Sequence, residues 1–153
     1  MIESEKIDRL VENFEKQPSS FDDALHKIEN ENVELFDILL GSHAEVLNDD
    51  EMDFLVFLFV IIYDSFSQEN PIRHILEDEI EKEDDKTWDT INNIKDFNLC
   101  FDLFETESSE KDIMEFILIS IEEDEENEYQ LTTEGRVVML SVLVTLVKLV
   151  SKK

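Results

Sequence analysis

The segment MDFLVFLFVIIYDSF, residues 52–66, is apolar around almost its whole circumference between Asp53 and Asp64 when it is wound as a helix. A helix that is apolar on every side belongs at the centre of a bundle. A buried strand is the competing interpretation, since Val, Ile and Phe are strand formers. We favour the helix because the run exceeds the ordinary strand length and no partner strands bounded by turns are visible.

A second apolar segment, VVMLSVLVTLVKLV at residues 137–150, predicts a helix that begins at Thr132 or Thr133. Its polar residues recur at spacings of four, three and four, which places them on one narrow stripe of that helix. They are Ser141, Thr145, Lys148 and Lys152. Both segments fall short of the roughly 20 apolar residues that span a bilayer. We therefore expect two strongly buried helices, over about 50–68 and 133–150.

Shorter amphipathic helices precede the first apolar segment. Ile7, Leu10, Val11 and Phe14 form one apolar stripe, and Pro18 should close that first helix. The second helix is expected to use a serine as its N-terminal cap, in an approximate capping box. The candidates for this cap are Ser19 and Ser20.

Other residues mark the expected ends and starts of further helices. Gly41 is expected to end the third helix in the left-handed conformation, and any one of Asn48, Asp49 and Asp50 can cap the fourth. Asn70 and Pro71 predict a fifth helix over residues 71–83, with Asn70 as its cap. Thr87 should then cap a sixth helix.

The pattern after Thr87 is interrupted near Asp96, and Ser109 is expected to begin the next helix. With only two Gly and two Pro in the chain, little of the turn chemistry of multistranded sheets is present. The fold class predicted is all-α, a single compact bundle of seven or eight helices. Residues 1–153 are expected to form one acidic helical domain.

Charge is the strongest functional signal in the composition. Forty acidic residues against thirteen basic ones give a formal net charge of −27, yet 42% of the chain is apolar and eleven residues are Phe. Disordered acidic chains lack such large apolar side chains, so the acids are expected to coat a folded body. The N-terminal sequence MIESEKIDRL has no secretory signal, which predicts a cytoplasmic protein.

Motifs for catalysis, metals or cofactors are not found in the sequence. None of His26, His43 and His74 stands in a zinc or di-iron spacing, and neither glycine lies in a calcium-binding loop. Cys100 has no basic neighbour in sequence that could activate it, so we expect a buried, inert thiol. We therefore expect a protein that is not an enzyme and that holds no metal or cofactor.

The acids are concentrated in two runs, EDEIEKEDD at residues 77–85 and EEDEENE at residues 122–128. Both fall near the predicted C-termini of helices, where the helix dipole disfavours anions. A surface shaped for stability alone would place Lys or Arg there, so the runs are interpreted as a partner-binding surface. The candidate binding residues are Glu122, Glu123, Asp124, Glu125, Glu126, Glu128, Glu77, Asp78, Glu79, Glu81, Glu83, Asp84 and Asp85.

A surface of this sign favours a basic protein partner and disfavours direct binding of nucleic acid or membranes. The leading hypothesis is a cytoplasmic immunity protein or antitoxin that neutralises a basic toxin or nuclease by direct binding. One alternative is a DNA-mimic inhibitor of a nucleic-acid-binding protein, which predicts two parallel rows of acids. Another is an adaptor or chaperone for a basic or secreted protein, which predicts an apolar groove beside the acids. A homodimer is also considered, through exposed apolar residues.

Overall fold

The computed structural model describes residues 2–41, 44–122 and 131–151, and within these residues it contains eight helices and no strand. The helices are α1 (Ser4–Lys16), α2 (Pro18–Glu31), α3 (Val33–Gly41), α4 (Asp49–Glu69), α5 (Glu77–Ile94), α6 (Phe97–Glu107), α7 (Lys111–Ile121) and α8 (Thr133–Val150). The all-α prediction is confirmed. One buried apolar cluster contains residues from all eight helices.

α4 and α8 form the centre of the bundle. α8 packs against every helix from α3 to α7, and α4 packs against α1, α2 and α8. Phe59, Ile61 and Ile62 of α4 are completely buried, as are Leu143 and Leu146 of α8. The prediction of two strongly buried helices is therefore confirmed. No described helix combines the length and apolar character needed to cross a membrane.

The polar stripe of α8 lies inside the bundle. Ser141 and Thr145 are both completely buried, and the Thr145 hydroxyl donates a 2.9 Å hydrogen bond to Oγ1 of Thr87 on α5. Lys148 is half-buried, with its ammonium group 5.2 Å from the centre of the Phe104 ring. Lys152, the fourth predicted member, lies outside the described residues. Thr145 thus joins α8 to α5, because a polar residue is satisfied in a core when a neighbouring helix supplies its partner. The buried Ser141 hydroxyl has no hydrogen-bond partner among the described residues.

Two of the predicted helix starts are confirmed. Asn48 caps α4 in a full capping box, since its side chain accepts from the Glu51 N–H while the Glu51 carboxylate accepts from the Asn48 N–H. Thr132 caps α8 by accepting from the Gly135 N–H. The interruption near Asp96 is also present, because Lys95 has a φ of 60° and Asp96 caps α6.

Three other end signals were wrong. α2 begins at Pro18 with no side-chain cap. Proline suits the first helical position because its φ is already helical and because the N–H it lacks would have no partner within the helix. The predicted caps Ser19 and Ser20 therefore lie inside the helix. Gly41 remains helical and does not have a positive φ. α7 begins at Lys111, two residues after the predicted start at Ser109.

The largest error concerns the fifth helix. Asn70 ends α4, residues 71–76 are not helical, and α5 runs without interruption from Glu77 to Ile94. Thr87 is therefore an interior residue of α5 and caps nothing. Its hydroxyl donates to the Glu83 carbonyl one turn earlier in the same helix. The reason for the late start of α5 is a contact with a distant residue, Asn32.

Candidate partner-binding surface

Asn32 holds the segment that leads into α5. This residue is completely buried at the junction of α2 and α3, where its side-chain oxygen accepts a 2.7 Å hydrogen bond from the Ile75 N–H. Its side-chain amide donates to the Arg73 carbonyl at 3.1 Å and to the Tyr63 hydroxyl at 2.9 Å. These bonds satisfy backbone groups that a helix over residues 71–83 would have used internally. They fix the point at which the acidic helix begins.

Tyr63 is one of the hydrogen-bond partners of the Asn32 side chain. Tyr63 is a buried residue of α4, and its hydroxyl donates a 3.2 Å hydrogen bond to the Glu31 carboxylate. Burial, together with the nearby Glu31 charge, raises the pKa of Tyr63 to about 12, although the Asn32 hydrogen bond acts in the opposite direction. The phenol therefore stays neutral and keeps its proton available for Glu31.

The first acidic run occupies the N-terminal half of α5 and divides into two groups. Glu77, Asp78, Glu81 and Asp85 are exposed to solvent. None of these four carboxylates forms an ion pair within the part of the chain that the structure describes. They form one continuous row along the outer side of the helix, because residues three and four apart share a helical face. We call these four residues the acidic row.

The other members of the first run are turned toward the protein. Glu79 is half-buried and is held by both terminal nitrogens of the Arg73 guanidinium, one of them at 2.9 Å. Glu83 is only 8% exposed, and Asp84 is half-buried. These three side chains thus lie on the inner side of α5, and their predicted role in binding a partner stays a prediction. Glu83 and Asp84 stand three or four residues from both Ile80 and Thr87, a spacing that indicates the inner side, whereas Glu79 is held by Arg73.

The position of the first run on its helix also differs from the prediction. Glu77, Asp78 and Glu79 form the first turn of α5, where the helix dipole favours anions, rather than its last turn. The dipole therefore stabilises Glu77, Asp78 and Glu79 and gives no support to a binding role for this run. Repulsion between neighbouring carboxylates remains. Glu81 has an acidic residue at each position three and four residues away, on both sides along the helix.

The second acidic run follows α7. Glu122 is exposed and stands directly after the last helical residue, Ile121. The other candidates of this run, Glu123, Asp124, Glu125, Glu126 and Glu128, lie outside the described residues. A shared surface for the two runs thus stays a prediction.

An apolar groove lies at the C-terminal end of α5, where α5, α6 and α8 meet. Its volume is about 550 Å³, and its floor and walls are mainly apolar side chains. Trp88 and Ile91 come from α5, Phe97 and Cys100 from α6, and Val137 and Leu140 from α8. Lys95, Asp96, Asn92 and Thr133 complete its edge. We call this feature the Trp88 groove.

Arg136 contacts one wall of the Trp88 groove and stabilises it. The guanidinium of Arg136 lies 4.4 Å from the centre of the Phe97 ring, and its Nε donates to the Ile121 carbonyl at 2.6 Å. Arg136 thus ties one wall of the groove to the end of α7. Trp88 and Phe97 are each half-buried, so each ring presents part of its surface to the groove.

Cys100 is buried in the wall of this groove. Desolvation raises the pKa of its thiol, with a smaller opposing contribution from a backbone hydrogen bond at Asp96. The predicted buried thiol is confirmed, and a raised pKa lowers its reactivity as a nucleophile. Among the residues that the structure describes, no group of three or more His, Cys, Asp or Glu side chains is placed to hold a metal ion.

Comparison with protein family models, with curated proteins and with solved structures finds no match to this chain. The features that remain to indicate a function are the acidic row of α5 and the Trp88 groove at the other end of the same helix. Sequence reasoning identified the acids but not the groove. The signal for the groove was Trp88 itself, a large aromatic residue four residues after Asp84 and three after Asp85.

Proposed function

We propose that this chain is a non-enzymatic binding protein for a basic protein partner and that the acidic row of α5 makes the first contact. The observation that carries the proposal is the lack of local compensation. Eight acids and two bases lie on α5, and the four exposed acids of the row have no ion-pair partner among the described residues. A field of this kind accelerates encounter with a positively charged protein.

The role we propose first is that of a cytoplasmic immunity protein or antitoxin that covers the active cleft of a basic toxin or nuclease. The small size, the helical bundle and the unpaired acidic row all suit a protein that blocks a cationic cleft. A DNA mimic would need two parallel rows of acids at the spacing of duplex phosphates. α5 supplies one such row, so this alternative gains no support from α5 alone.

The adaptor alternative is favoured by one specific observation. An adaptor for a basic or secreted protein requires an apolar groove beside its acids, and the Trp88 groove lies on the same helix as the acidic row. Inhibitor and adaptor therefore share a binding surface and differ in what happens to the partner. An inhibitor abolishes the partner's activity, whereas an adaptor releases an active partner.

The test begins with capture of the partner from the native host and its identification by mass spectrometry. Association rates are then measured for the wild type, for the double reversal Glu81→Lys with Asp85→Lys, and for a control, Asp8→Lys with Glu15→Lys. The control makes the same change in net charge on exposed residues of α1. We expect the α5 reversal to slow association at least tenfold at low salt and to weaken its salt dependence.

Equal association rates for the two double variants would show that the partner responds to overall charge alone, and the acidic row would then have no special role. Unchanged binding by both variants at low salt would reduce the acids to a solubilising surface. The partner's own activity, measured with and without this protein, distinguishes the inhibitor from the adaptor.

A further inference from the structure

The Trp88 groove and the acidic row lie on one helix, and Trp88 is the point at which they meet. The carboxylates of Glu81 and Asp85 stand seven and three residues before Trp88, which places them on the adjoining strip of α5. A segment that lies along this side of α5 therefore meets carboxylates at one end and an apolar cavity at the other.

We propose that the Trp88 groove receives a cationic amphipathic helix of the partner, with one or two large apolar side chains inserted between Trp88 and Phe97. This inference rests on the proposed function and adds the chemistry of the bound segment. The bound helix would present apolar residues at positions i and i+4 to the groove and Lys or Arg to the acidic row. Helices bind grooves in this way in many protein complexes.

The charge of the molecule selects this occupant over the others that an apolar groove can take. A second copy of this chain carries the same formal charge of −27, and repulsion between two such molecules opposes association. An uncharged apolar ligand could fill the cavity but would leave the neighbouring carboxylates without a counterpart. A cationic amphipathic helix satisfies both parts of the surface.

The lining of the groove supports apolar anchoring rather than polar recognition. Ile91, Cys100 and Leu140 form buried parts of the wall, while Trp88, Phe97 and Val137 are half-buried and reachable from solvent. Lys95 is the one base among the lining residues, and Asp96 beside it caps α6. Large aromatic and aliphatic surfaces of this kind supply most of the binding free energy in protein interfaces.

The test uses two synthetic peptides of identical composition. Both contain 14 residues, about half Leu and half Lys, by design; in one the leucines fall on a single helical face, and in the other the order is scrambled so that they do not. Trp88 is the only tryptophan of the chain, so its fluorescence reports on the groove alone. We expect the amphipathic peptide to shift the emission to shorter wavelength in a saturable titration and to bind at least tenfold more tightly than the scrambled peptide.

Two variants locate the bound peptide. Val137→Gln places a polar side chain on the groove wall and should weaken the amphipathic peptide at least fivefold. Ile119→Gln makes the same kind of change at an exposed residue of α7, outside the groove, and should have no effect. The comparison of the two peptides on the wild-type protein needs no variant, so the test survives if Val137→Gln fails to fold.

Each outcome has one meaning. Equal binding of both peptides with unchanged Trp88 emission overturns the groove proposal and leaves the charge-based function standing. No binding of either peptide at low salt overturns both. A dimer in analytical ultracentrifugation that Val137→Gln dissociates would show a second copy in the groove and would also overturn the proposal.

Discussion

α1 and α5 are both amphipathic surface helices, but they differ in how many of their acidic side chains form ion pairs. α1 carries four acids and three bases, and its ion pairs join Arg9 to Glu5 at 3.5 Å and Lys16 to Glu12. Lys6 of α1 also binds Glu69 of α4 at 2.9 Å. α5 carries eight acids and two bases, and its acidic row makes no ion pair with any residue that the structure describes. A high content of acids is therefore less informative than whether neighbouring bases neutralise them.

The inner faces of the two helices differ as well. α1 packs through Ile7, Leu10 and Phe14, all apolar. The inner face of α5 includes buried Glu83 and Thr87 between Ile80 and Ile91, and Thr87 is hydrogen-bonded to α8. Apolar packing tolerates small shifts, whereas hydrogen bonds require a defined register. The hydrogen bond between Thr145 and Thr87 thus fixes the register of α5 against α8.

The largest expected effect comes from removing the side chain that fixes the start of α5. Asn32→Ala should lower the free energy of unfolding by about 3 kcal/mol, because it strands the buried Ile75 N–H and the groups of Arg73 and Tyr63 that Asn32 now satisfies. Urea denaturation measures the loss. Asn30→Ala, an exposed asparagine near the end of α2, is the control and should be nearly neutral. A loss below 1 kcal/mol for Asn32→Ala would show that other contacts hold residues 71–76, the segment before α5.

A smaller loss is expected at the contact between α5 and α8. Thr87→Val deprives the buried Thr145 hydroxyl of its acceptor and should lower the free energy of unfolding by about 1–2 kcal/mol. Thr90→Val is the matched control, since Thr90 makes the same bond to the carbonyl four residues earlier but has no hydrogen bond to another of the described helices. Combining Thr87→Val with Thr145→Val should recover part of the loss, because both polar partners are then gone. Simple additivity of the two changes would contradict the proposed contact.

The smallest expected effect is a change in stability when an acid of α5 or of α1 is neutralised, and it tests the difference between the two helices directly. Glu81→Gln should raise the free energy of unfolding by about 0.5 kcal/mol at low salt, because Glu81 is surrounded by acids along its helix, and the gain should disappear at high salt. Glu12→Gln should lower stability instead, since it removes the ion pair with Lys16. Changes of the same sign for the two variants at low salt would abolish the distinction between the helices.

The pH dependence of the α1 pair follows from the same contact. A hydrogen bond and the charge of Lys16 hold the pKa of Glu12 below its ordinary value. A carboxylate with a lowered pKa in the folded state stabilises the protein above the ordinary carboxyl pKa, and this contribution is lost as the pH falls through the lowered value. The difference between wild type and Glu12→Gln should therefore vanish in strong acid.

The sequence predicts what depends on nearby residues. Apolar periodicity located α1, α4 and α8, and the local capping signals of Asn48 and Thr132 were confirmed, because the groups involved lie within one or two turns of each other. The start of α5 could not be predicted, since the hydrogen bond between Asn32 and Ile75 joins residues 43 positions apart. Thr145 was recognised as polar, but helical spacing alone does not distinguish a stripe that faces water from one that faces another helix.

The candidate surface was predicted only in part, because local sequence patterns do not record contacts between distant residues. The acids of residues 77–85 were identified by composition, and the exposed row among them follows from their helix. Glu83 and Asp84 were assigned to the partner surface although they stand three and four residues after Ile80, a spacing that places them on the inner side of α5. The Trp88 groove is made by three helices whose relative positions no local pattern records.

Asn32 also joins three parts of the chain through hydrogen bonds. Its N–H ends α2 by bonding the Ile28 carbonyl, its own carbonyl accepts from the Phe36 N–H in α3, and its side chain holds Ile75. Opening of this junction would expose the Ile75 amide to solvent, although Ile75 belongs to no helix. Deuterium exchange at that single amide therefore reports how often the acidic helix is released from the core, and a partner that binds and rigidifies α5 would slow it.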